Sequence, residues 1–206
     1  APHDGWEFVN PLGDNSTAAV LGGVLAIDVD LANDHSAFVT TNNVPAVMQD
    51  VADVDFVIEA KFDSPLVATT GTEQQTQGVL IEESPNRFVR VDFSTFGPQK
   101  FIYAAMINEG ASPQQLGLEQ LPGLAPPMYV RITRTGNLFD FDYSLDGAIW
   151  EDYGQIAPNG GFVVNRMGVY GGNTAGVPFN VQVDYFVDVT PGGVDCNVNG
   201  TADGRE

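Results

Sequence analysis

The sequence predicts an all-β fold in which two antiparallel sheets pack face to face as a β-sandwich. Three observations predict it: stretches of alternating apolar and polar residues, many short strand candidates separated by turn residues, and a near absence of helix signals. Alternation with a period of two is typical of a half-buried antiparallel strand. Many short strands at regular turn spacing are typical of sandwiches and jelly rolls.

Three stretches alternate most clearly, at 54–62 (VDFVIEAKF), 138–145 (LFDFDYSL) and 181–189 (VQVDYFVDV). We expect the apolar residues of each stretch to share one face and to enter the core. These predicted inner faces are Val54, Phe56, Ile58, Ala60 and Phe62; Phe139, Phe141, Tyr143 and Leu145; and Val181, Val183, Tyr185, Val187 and Val189.

The remaining strand candidates lie between Gly- and Pro-containing turns such as GGV, SPN, FGP and TGN. They are the stretches at 19–29, 46–51, 78–83, 87–93, 100–107 and 129–134. The one candidate for a helical turn lies in ASPQQLGLEQLPGLAPP at 111–127, which Pro and Gly interrupt at both ends. We predict a long loop there, with at most a short helix.

The chain divides into one large domain and a short tail. Residues 1–190 are predicted to form the sandwich domain, since the strand pattern extends from Trp6 to about Thr190. Residues 191–206 are predicted to be a linker, PGGV, followed by an EF-hand-like calcium loop. We expect this tail to have led to further domains of a larger parent chain.

The charge is strongly acidic, with 27 Asp and Glu residues against eight Lys and Arg, for a net charge of −19. Nucleic-acid binding is therefore not expected, because it needs clustered basic residues. Membrane insertion is not expected either, since no apolar run approaches the ~18 residues that a spanning helix needs. The acidity fits a solubility adaptation or a surface that collects cations. We expect an extracellular or cell-surface protein. The N-terminus, APHDGWEF, has no signal-peptide pattern, so either a signal has already been removed or the chain was excised from a longer one.

The last twelve residues, DCNVNGTADGRE, match the calcium-loop template D-x-[DN]-x-[DN]-G-x₅-E at every specified place. Calcium takes six to eight oxygen ligands, and Gly200 allows the sharp turn that such a loop requires. Side chains, one backbone carbonyl and a final bidentate carboxylate would supply the ligands. The predicted metal ligands are Asp195, Asn197, Asn199, Thr201 (carbonyl), Asp203 and Glu206.

The tail also resembles the Asp- and Asn-rich calcium loops of thrombospondin type 3 repeats and dockerins. The resemblance implies a calcium-binding linker repeat. A second cysteine often precedes the final acidic position of those repeats, but Arg205 stands there, so Cys196 has no partner within the chain. The alternative is a flexible acidic tail that binds no metal.

Several stretches carry a resemblance to a known family. They are WEFVNPLGD at 6–14, NDHSAF at 33–38, NNVPAVMQDV at 42–51, DFVIEAKFDS at 55–64, QGVLIEESPNRFVRVDF at 77–93, YVRITRTGNLFDFDYSLDGAIW at 129–150 and MGVYGGN at 167–173. Together they resemble the concanavalin A-like (LamG-like) jelly roll at the C-terminus of β-xylosidases and in related extracellular bacterial modules. The resemblance implies two antiparallel sheets, with a groove on the concave sheet that holds or borders carbohydrate in relatives.

A sugar groove needs planar polar groups and an aromatic platform. In RFVRVDF, we expect Val89, Val91 and Phe93 to face the core, which turns the alternate residues outward. The candidate carbohydrate-binding residues are Gln77, Phe88, Arg90, Asp92 and Tyr103. Two alternatives stay open: Tyr103 belongs to the core with Phe101, or Arg90 forms a surface ion pair with Asp92 or Glu82.

Recognisable catalytic patterns are absent from the sequence. A glycosidase needs two carboxylates across the scissile bond, and the E-x-D-x-x-E string of laminarinase-type jelly rolls does not occur. We therefore favour a non-catalytic module that binds a polysaccharide or glycan, with calcium in its linker. The alternatives are a structural or adhesive spacer without sugar affinity and, third, a polysaccharide-degrading enzyme with an unfamiliar site.

Overall fold

The computed structural model describes residues 5–38, 41–67 and 69–190, and this part of the chain contains strands and no helix. It therefore also has no helix long and apolar enough to cross a membrane. The strands are β1 (Trp6–Val9), β2 (Thr17–Leu21), β3 (Val24–Val29), β4 (Ala37–Phe38), β5 (Thr41–Asn42), β6 (Ala46–Asp50), β7 (Phe56–Phe62), β8 (Gln75–Ser84), β9 (Arg87–Phe96), β10 (Gln99–Asn108), β11 (Gln114–Gln115), β12 (Glu119–Gln120), β13 (Met128–Thr135), β14 (Leu138–Ser144), β15 (Glu151–Ile156), β16 (Arg166–Asn173) and β17 (Phe179–Asp188).

The strands form two large sheets and one small hairpin. Sheet 1 has the order β1-β6-β16-β8-β9-β10-β11, with β12 also pairing with β10. Sheet 2 has the order β15-β14-β13-β7-β17-β3-β2, and β4 pairs with β5 in the hairpin. All of these pairs are antiparallel. The predicted antiparallel two-sheet β-sandwich is confirmed.

The main core lies between the two sheets and follows the predicted alternation within the strands. Val54 and Leu145, which were predicted to face inward, are 58% and 40% exposed, because they lie just outside strands β7 and β14. Large apolar side chains from both sheets fill it, including Phe62, Phe93, Phe139 and Phe141, none of which is exposed to solvent. Burial of each such side chain stabilises the fold by about 1.5–3 kcal/mol. Val89, Val91 and Phe93 of β9 point inward, as predicted.

The third alternating stretch differs from its predicted face. A β-bulge between Val183 and Tyr185 shifts the pairing of β17 with β7. Phe186 instead of Tyr185 therefore packs against the core, where its ring makes an edge contact with Trp6 at 5.7 Å. An extra residue in one strand of a pair exchanges the inner and outer faces beyond it, and this exchange is not visible in the sequence pattern.

The segment at 111–127 contains no helix. Two short strands, β11 and β12, lie instead along β10, so this segment extends the edge of sheet 1. Backbone pairing with an open sheet edge satisfies its N–H and C=O groups. The sequence alone did not indicate that this segment pairs with β10.

A second, smaller apolar cluster covers the outer face of sheet 1. Residues around the β4–β5 hairpin lie across that face and bury side chains of β6, β8, β9, β10 and β16. Gly172 on β16 permits the close approach, because a Cβ there would lie 2.7 Å from the carbonyl oxygen of His35. The buried members are Ala37, Val44, Ala46, Met48, Leu80, Phe88, Tyr103, Ala105, Ile107 and Tyr170.

Candidate functional site

An open cleft of about 900 Å³ lies on the outer face of sheet 1, beside the second apolar cluster. Its floor consists of alternate residues of β8, β9 and β10, which antiparallel register places side by side. Ser94, for example, is directly opposite both Thr76 and Phe101. The floor residues are Thr76, Arg90, Ser94, Phe96, Gln99, Phe101 and Tyr103.

Two segments form the walls of the cleft. On one side, residues 35–38 and Val44 reach over the sheet, with Tyr170 and Asn173 of β16 beneath them. On the other side, residues 115–118 and Gln120 follow the edge strand β10. Hydrogen bonds from Leu116 N to Ala104 O and from Leu121 N to Lys100 O fix this second wall.

The described residues that line the cleft include no Asp or Glu, although the chain has 27 acidic residues. Their polar groups are mainly neutral amides and hydroxyls, which both donate and accept hydrogen bonds. The amide side chains are Gln74, Gln99, Gln115, Gln120 and Asn173. The described lining of the cleft thus combines polar and apolar side chains and lacks the acidic side chains that are abundant elsewhere in the chain.

Three apolar side chains stand exposed at the cleft, one each from the hairpin, the floor and the second wall. Phe38 and Phe96 are each 46% exposed, and Leu118 is 62% exposed. Exposed aromatic rings beside convergent polar groups are typical of sites that hold amphipathic ligands.

A buried ion pair lies at the inner side of the cleft. Arg90 Nε donates to Asp92 Oδ2 at 2.7 Å, and Arg90 Nη2 lies at 2.7 Å from the same oxygen. The Tyr170 hydroxyl donates to it at 3.0 Å, and Arg90 Nη1 donates to the Ala37 carbonyl. Burial raises the pKa of Asp92, and the Arg90 charge opposes that shift. Burial likewise raises the pKa of Tyr170, which keeps its hydroxyl a donor.

The Arg90 guanidinium also orders two aromatic side chains. It lies 5.1 Å from the ring centroid of Tyr103 and 5.8 Å from that of Tyr170, within the range of cation–π attraction. The Tyr103 hydroxyl in turn donates to Gln115 Oε1 at 2.6 Å. This bond links the floor of the cleft to its second wall.

Asp92 Oδ1 has no hydrogen-bond partner among the described residues, although Asp92 is completely buried. An unpaired buried carboxylate oxygen costs free energy.

A second polar network closes one end of the cleft. His35 Nδ1 lies 2.8 Å from Asn173 Oδ1, and its Nε2 lies 2.8 Å from Asp14 Oδ2. Burial acts to raise the pKa of Asp14, but hydrogen bonds from Ser16, His35 and Asn33 hold it well below its ordinary value. Asp14 is therefore a stable anion beside His35.

The structure brings four of the five predicted groove residues onto one face of sheet 1. Arg90 and Tyr103 line the cleft, Asp92 lies behind Arg90, and Phe88 is buried in the second apolar cluster. The alternative of an Arg90–Asp92 pair is confirmed, but the pair is buried rather than at the surface. Tyr103 contacts the outer cluster rather than the core between the sheets.

The predicted position of Gln77 in the groove is wrong. Gln77 is directly opposite the core residue Phe93, so its side chain points between the sheets and is completely buried. Its amide nitrogen donates to the Ser64 carbonyl at 3.1 Å, and its amide oxygen accepts from the Ser64 hydroxyl. The neighbouring Thr76 lines the cleft instead.

The sequence prediction missed most of the cleft. Phe96 and Ser94 have the same phase as Arg90 and Asp92, so the alternation of β9 contained enough information to identify them. Gln115, Leu118 and Gln120 carried no such signal, because their position depends on pairing with β10.

The predicted calcium ligands, Asp195 to Glu206, lie outside the described residues. Within residues 5–38, 41–67 and 69–190, no group of three or more His, Cys, Asp or Glu side chains is arranged to hold a metal ion. The calcium site therefore stays a prediction from the sequence.

Comparison with known proteins supports the fold. No protein-family model and no curated protein match the sequence. A functionally unknown protein from Saccharomyces cerevisiae matches 90% of this chain over 95% of its own, with 10% identity and a TM-score of 0.66.

Two further solved structures are similar. A xylan β-1,4-xylosidase from Bacillus halodurans C-125 matches 90% of this chain with 14% identity and a TM-score of 0.65, but the match spans only 37% of the xylosidase. The CBM2 module of the evolved Dit of Lactobacillus casei BL23 phage J-1 matches 89% of each chain, with 14% identity and a TM-score of 0.56. At these identities the likeness shows the sandwich fold alone.

Proposed function

We propose that this chain is a non-catalytic module that binds glycan in the cleft on the outer face of sheet 1. The main support is the composition of that cleft, which has neutral amides and hydroxyls with Phe38, Phe96 and Leu118 exposed around them. Sugar hydroxyls need groups that donate and accept hydrogen bonds, and the C–H faces of sugar rings pack on aromatic side chains.

The structural neighbours favour this proposal over a function unrelated to carbohydrate. They include parts of glycoside hydrolases and a CBM2 module, so the shared fold occurs in carbohydrate-related chains, some of them larger than this one. We propose accordingly that the module belongs to a larger extracellular or cell-surface protein. The activity of the xylosidase is not transferred, because the chain matches only 37% of it.

A non-catalytic role is favoured by the chemistry of the cleft. Glycoside hydrolysis ordinarily needs two carboxyl groups on opposite sides of the scissile bond. The described lining residues supply none, and Asp92 behind the floor is held by Arg90 and Tyr170.

Affinity electrophoresis in gels that contain a panel of soluble polysaccharides tests the proposal. We expect at least one polysaccharide to retard the chain, and Phe96→Ala to weaken binding about fivefold to tenfold, because the exposed ring loses its contact with the sugar. Ile149→Ala is the matched control, since Ile149 is 65% exposed and does not line the cleft.

Failure would favour one of the other two functions. If no polysaccharide retards the folded chain, it is a structural or adhesive spacer. If the chain instead releases reducing sugar from a member of the panel, it is an enzyme.

We also propose that the tail binds calcium through Asp195, Asn197, Asn199, Thr201, Asp203 and Glu206, on the basis of the complete loop template. Calcium would gather mutually repelling carboxylates around one cation and stiffen the linker. Calorimetric titration of the chain with calcium should release or absorb heat that Asp195→Ala abolishes. Identical titrations of the two proteins would mean that the loop is inert.

A further inference from the structure

Both basic residues that line the cleft have a carboxylate partner of their own. Arg90 pairs with Asp92, and His35 contacts Asp14, within the part of the chain that the structure describes. No described lining residue is acidic, so Arg90 is the one permanently charged side chain among the described lining residues.

Arg90 is the residue that would otherwise attract an anionic ligand. A guanidinium binds carboxylate, sulfate or phosphate groups through parallel N–H donors, and it stays charged at any ordinary pH. Arg90 lines the cleft, but its Nε and Nη2 are directed at Asp92 Oδ2 and its Nη1 at the Ala37 carbonyl. Its donor edge and its charge are therefore already occupied from within the protein.

Stability alone does not account for this pair. The pair is buried, and apolar residues often replace a buried ion pair without loss of stability. Asp92 Oδ1 also lacks a partner among the described residues, which adds a cost. The pair has an electrostatic effect: the Asp92 carboxylate cancels the positive charge of Arg90 beside the proposed ligand site.

We propose that Asp92 restricts the cleft to uncharged glycans by neutralising Arg90, an inference that rests on the proposed glycan binding. Neutral sugars gain hydrogen bonds from the amides and hydroxyls and contacts with Phe38 and Phe96. Uronate- or sulfate-bearing chains gain no ion pair there, and the net charge of −19 repels them.

Affinity electrophoresis at low ionic strength separates this inference from the proposed function. Gels contain either an uncharged glucan, mannan or unsubstituted xylan, or polygalacturonate. Retardation by an uncharged polymer alone supports the inference. Equal or stronger retardation by polygalacturonate overturns it while glycan binding stands, and retardation by no polymer overturns both.

Two variants test whether the charge in the cleft causes the preference for uncharged polysaccharides. Asp92→Asn should raise the affinity for polygalacturonate about threefold to tenfold, because Arg90 loses its counter-charge. Gln99→Lys adds an unpaired cation at an exposed cleft position and should give a similar gain even if Asp92→Asn folds poorly. Both gains should fall at high salt.

Gln182→Lys is the matched control for these gains. Gln182 is exposed on β17 of sheet 2, so the same change of net charge occurs away from the cleft. We expect it to leave the affinity for polygalacturonate unchanged. An equal gain in Gln99→Lys and Gln182→Lys, or no gain in Gln99→Lys, would overturn the proposal.

Discussion

The outer faces of the two sheets differ, although both consist of alternating strands: chain segments cover much of the face of sheet 1, whereas the face of sheet 2 has no such cover among the described residues. On sheet 1, residues around the β4–β5 hairpin bury an apolar cluster and the Arg90–Asp92 pair, and a neutral cleft stays open beside them. On sheet 2, Arg131 pairs with Glu59 and stacks on Trp150, with 3.8 Å between the guanidinium carbon and the ring centroid. No second apolar cluster forms on that face among the described residues.

Charge distinguishes the two faces further. Asp140, Asp142 and Asp152 occupy neighbouring positions on β14 and β15, on the outer face of sheet 2. Burial, followed by repulsion from Asp140, raises the pKa of Asp142, and the Arg131 charge only partly offsets the shift. A segment that covers a sheet face can thus form a cleft there, because it both supplies a wall and removes charged side chains from water.

The largest difference between the faces should come from their ion pairs. Asp92→Ala leaves Arg90 buried without a counter-charge and should lower the free energy of unfolding by about 3–5 kcal/mol. Glu59→Ala should cost about 1–2 kcal/mol, because the Arg131 side chain is 25% exposed and can turn to water. Urea unfolding measures both values. Equal costs would contradict the distinction between a covered and an open face.

The covering segment itself should be sensitive to backbone distance. Gly172→Ala places a Cβ 2.7 Å from His35 O and 3.4 Å from Val44 Cγ1, so the segment must move away from sheet 1. We expect a loss of about 1–3 kcal/mol, together with weaker glycan binding. Gly123→Ala is the control, since a Cβ there meets nothing within 4 Å. A similar result for both variants would exclude close packing as the reason for glycine at 172.

Acid should reveal the network at the end of the cleft. The lowered pKa of Asp14 means that its contribution to stability is complete above the unfolded-state pKa of about 3.9 and is lost as the pH falls toward the folded-state value. Asp14→Asn should therefore be less stable than the parent by about 1–2 kcal/mol at pH 7, through lost hydrogen bonds to a charged group. The difference should shrink below about pH 4, as urea unfolding across a pH series would show.

The smallest expected effect on the free energy of unfolding is a gain in stability rather than a loss. The raised pKa of Asp142 means that its ionised form is disfavoured in the folded protein, so Asp142→Asn should stabilise sheet 2 at neutral pH. Relief of a like-charge neighbour is worth a few tenths of a kcal/mol. The gain should vanish below about pH 4, where the parent carboxyl is protonated in both states. Destabilisation at pH 7 would mean that the attraction to Arg131 dominates.

The alternation of the sequence correctly placed the elements whose pairing is regular. Val89, Val91 and Phe93 entered the core and Arg90 and Asp92 the outer face, because every second residue of a strand shares a face. The prediction for Gln77 was wrong because it was made without the register of β8 against β9, which sets Gln77 opposite the core residue Phe93. The prediction for Tyr185 was wrong because the β-bulge is a property of the pairing between β17 and β7, which the sequence pattern of β17 does not show.

The fold class and the two kinds of face follow from the order of residues alone, since a period of two and frequent turn residues leave little alternative to paired sheets. Which of the two outer faces carries the cleft depends on contacts between distant parts of the chain. Folding of residues 35–38 and 41–45 over sheet 1, and pairing of residues 114–120 with its edge, join residues far apart in the chain. Contacts of that kind depend on register and close approach, which the local order of residues does not specify.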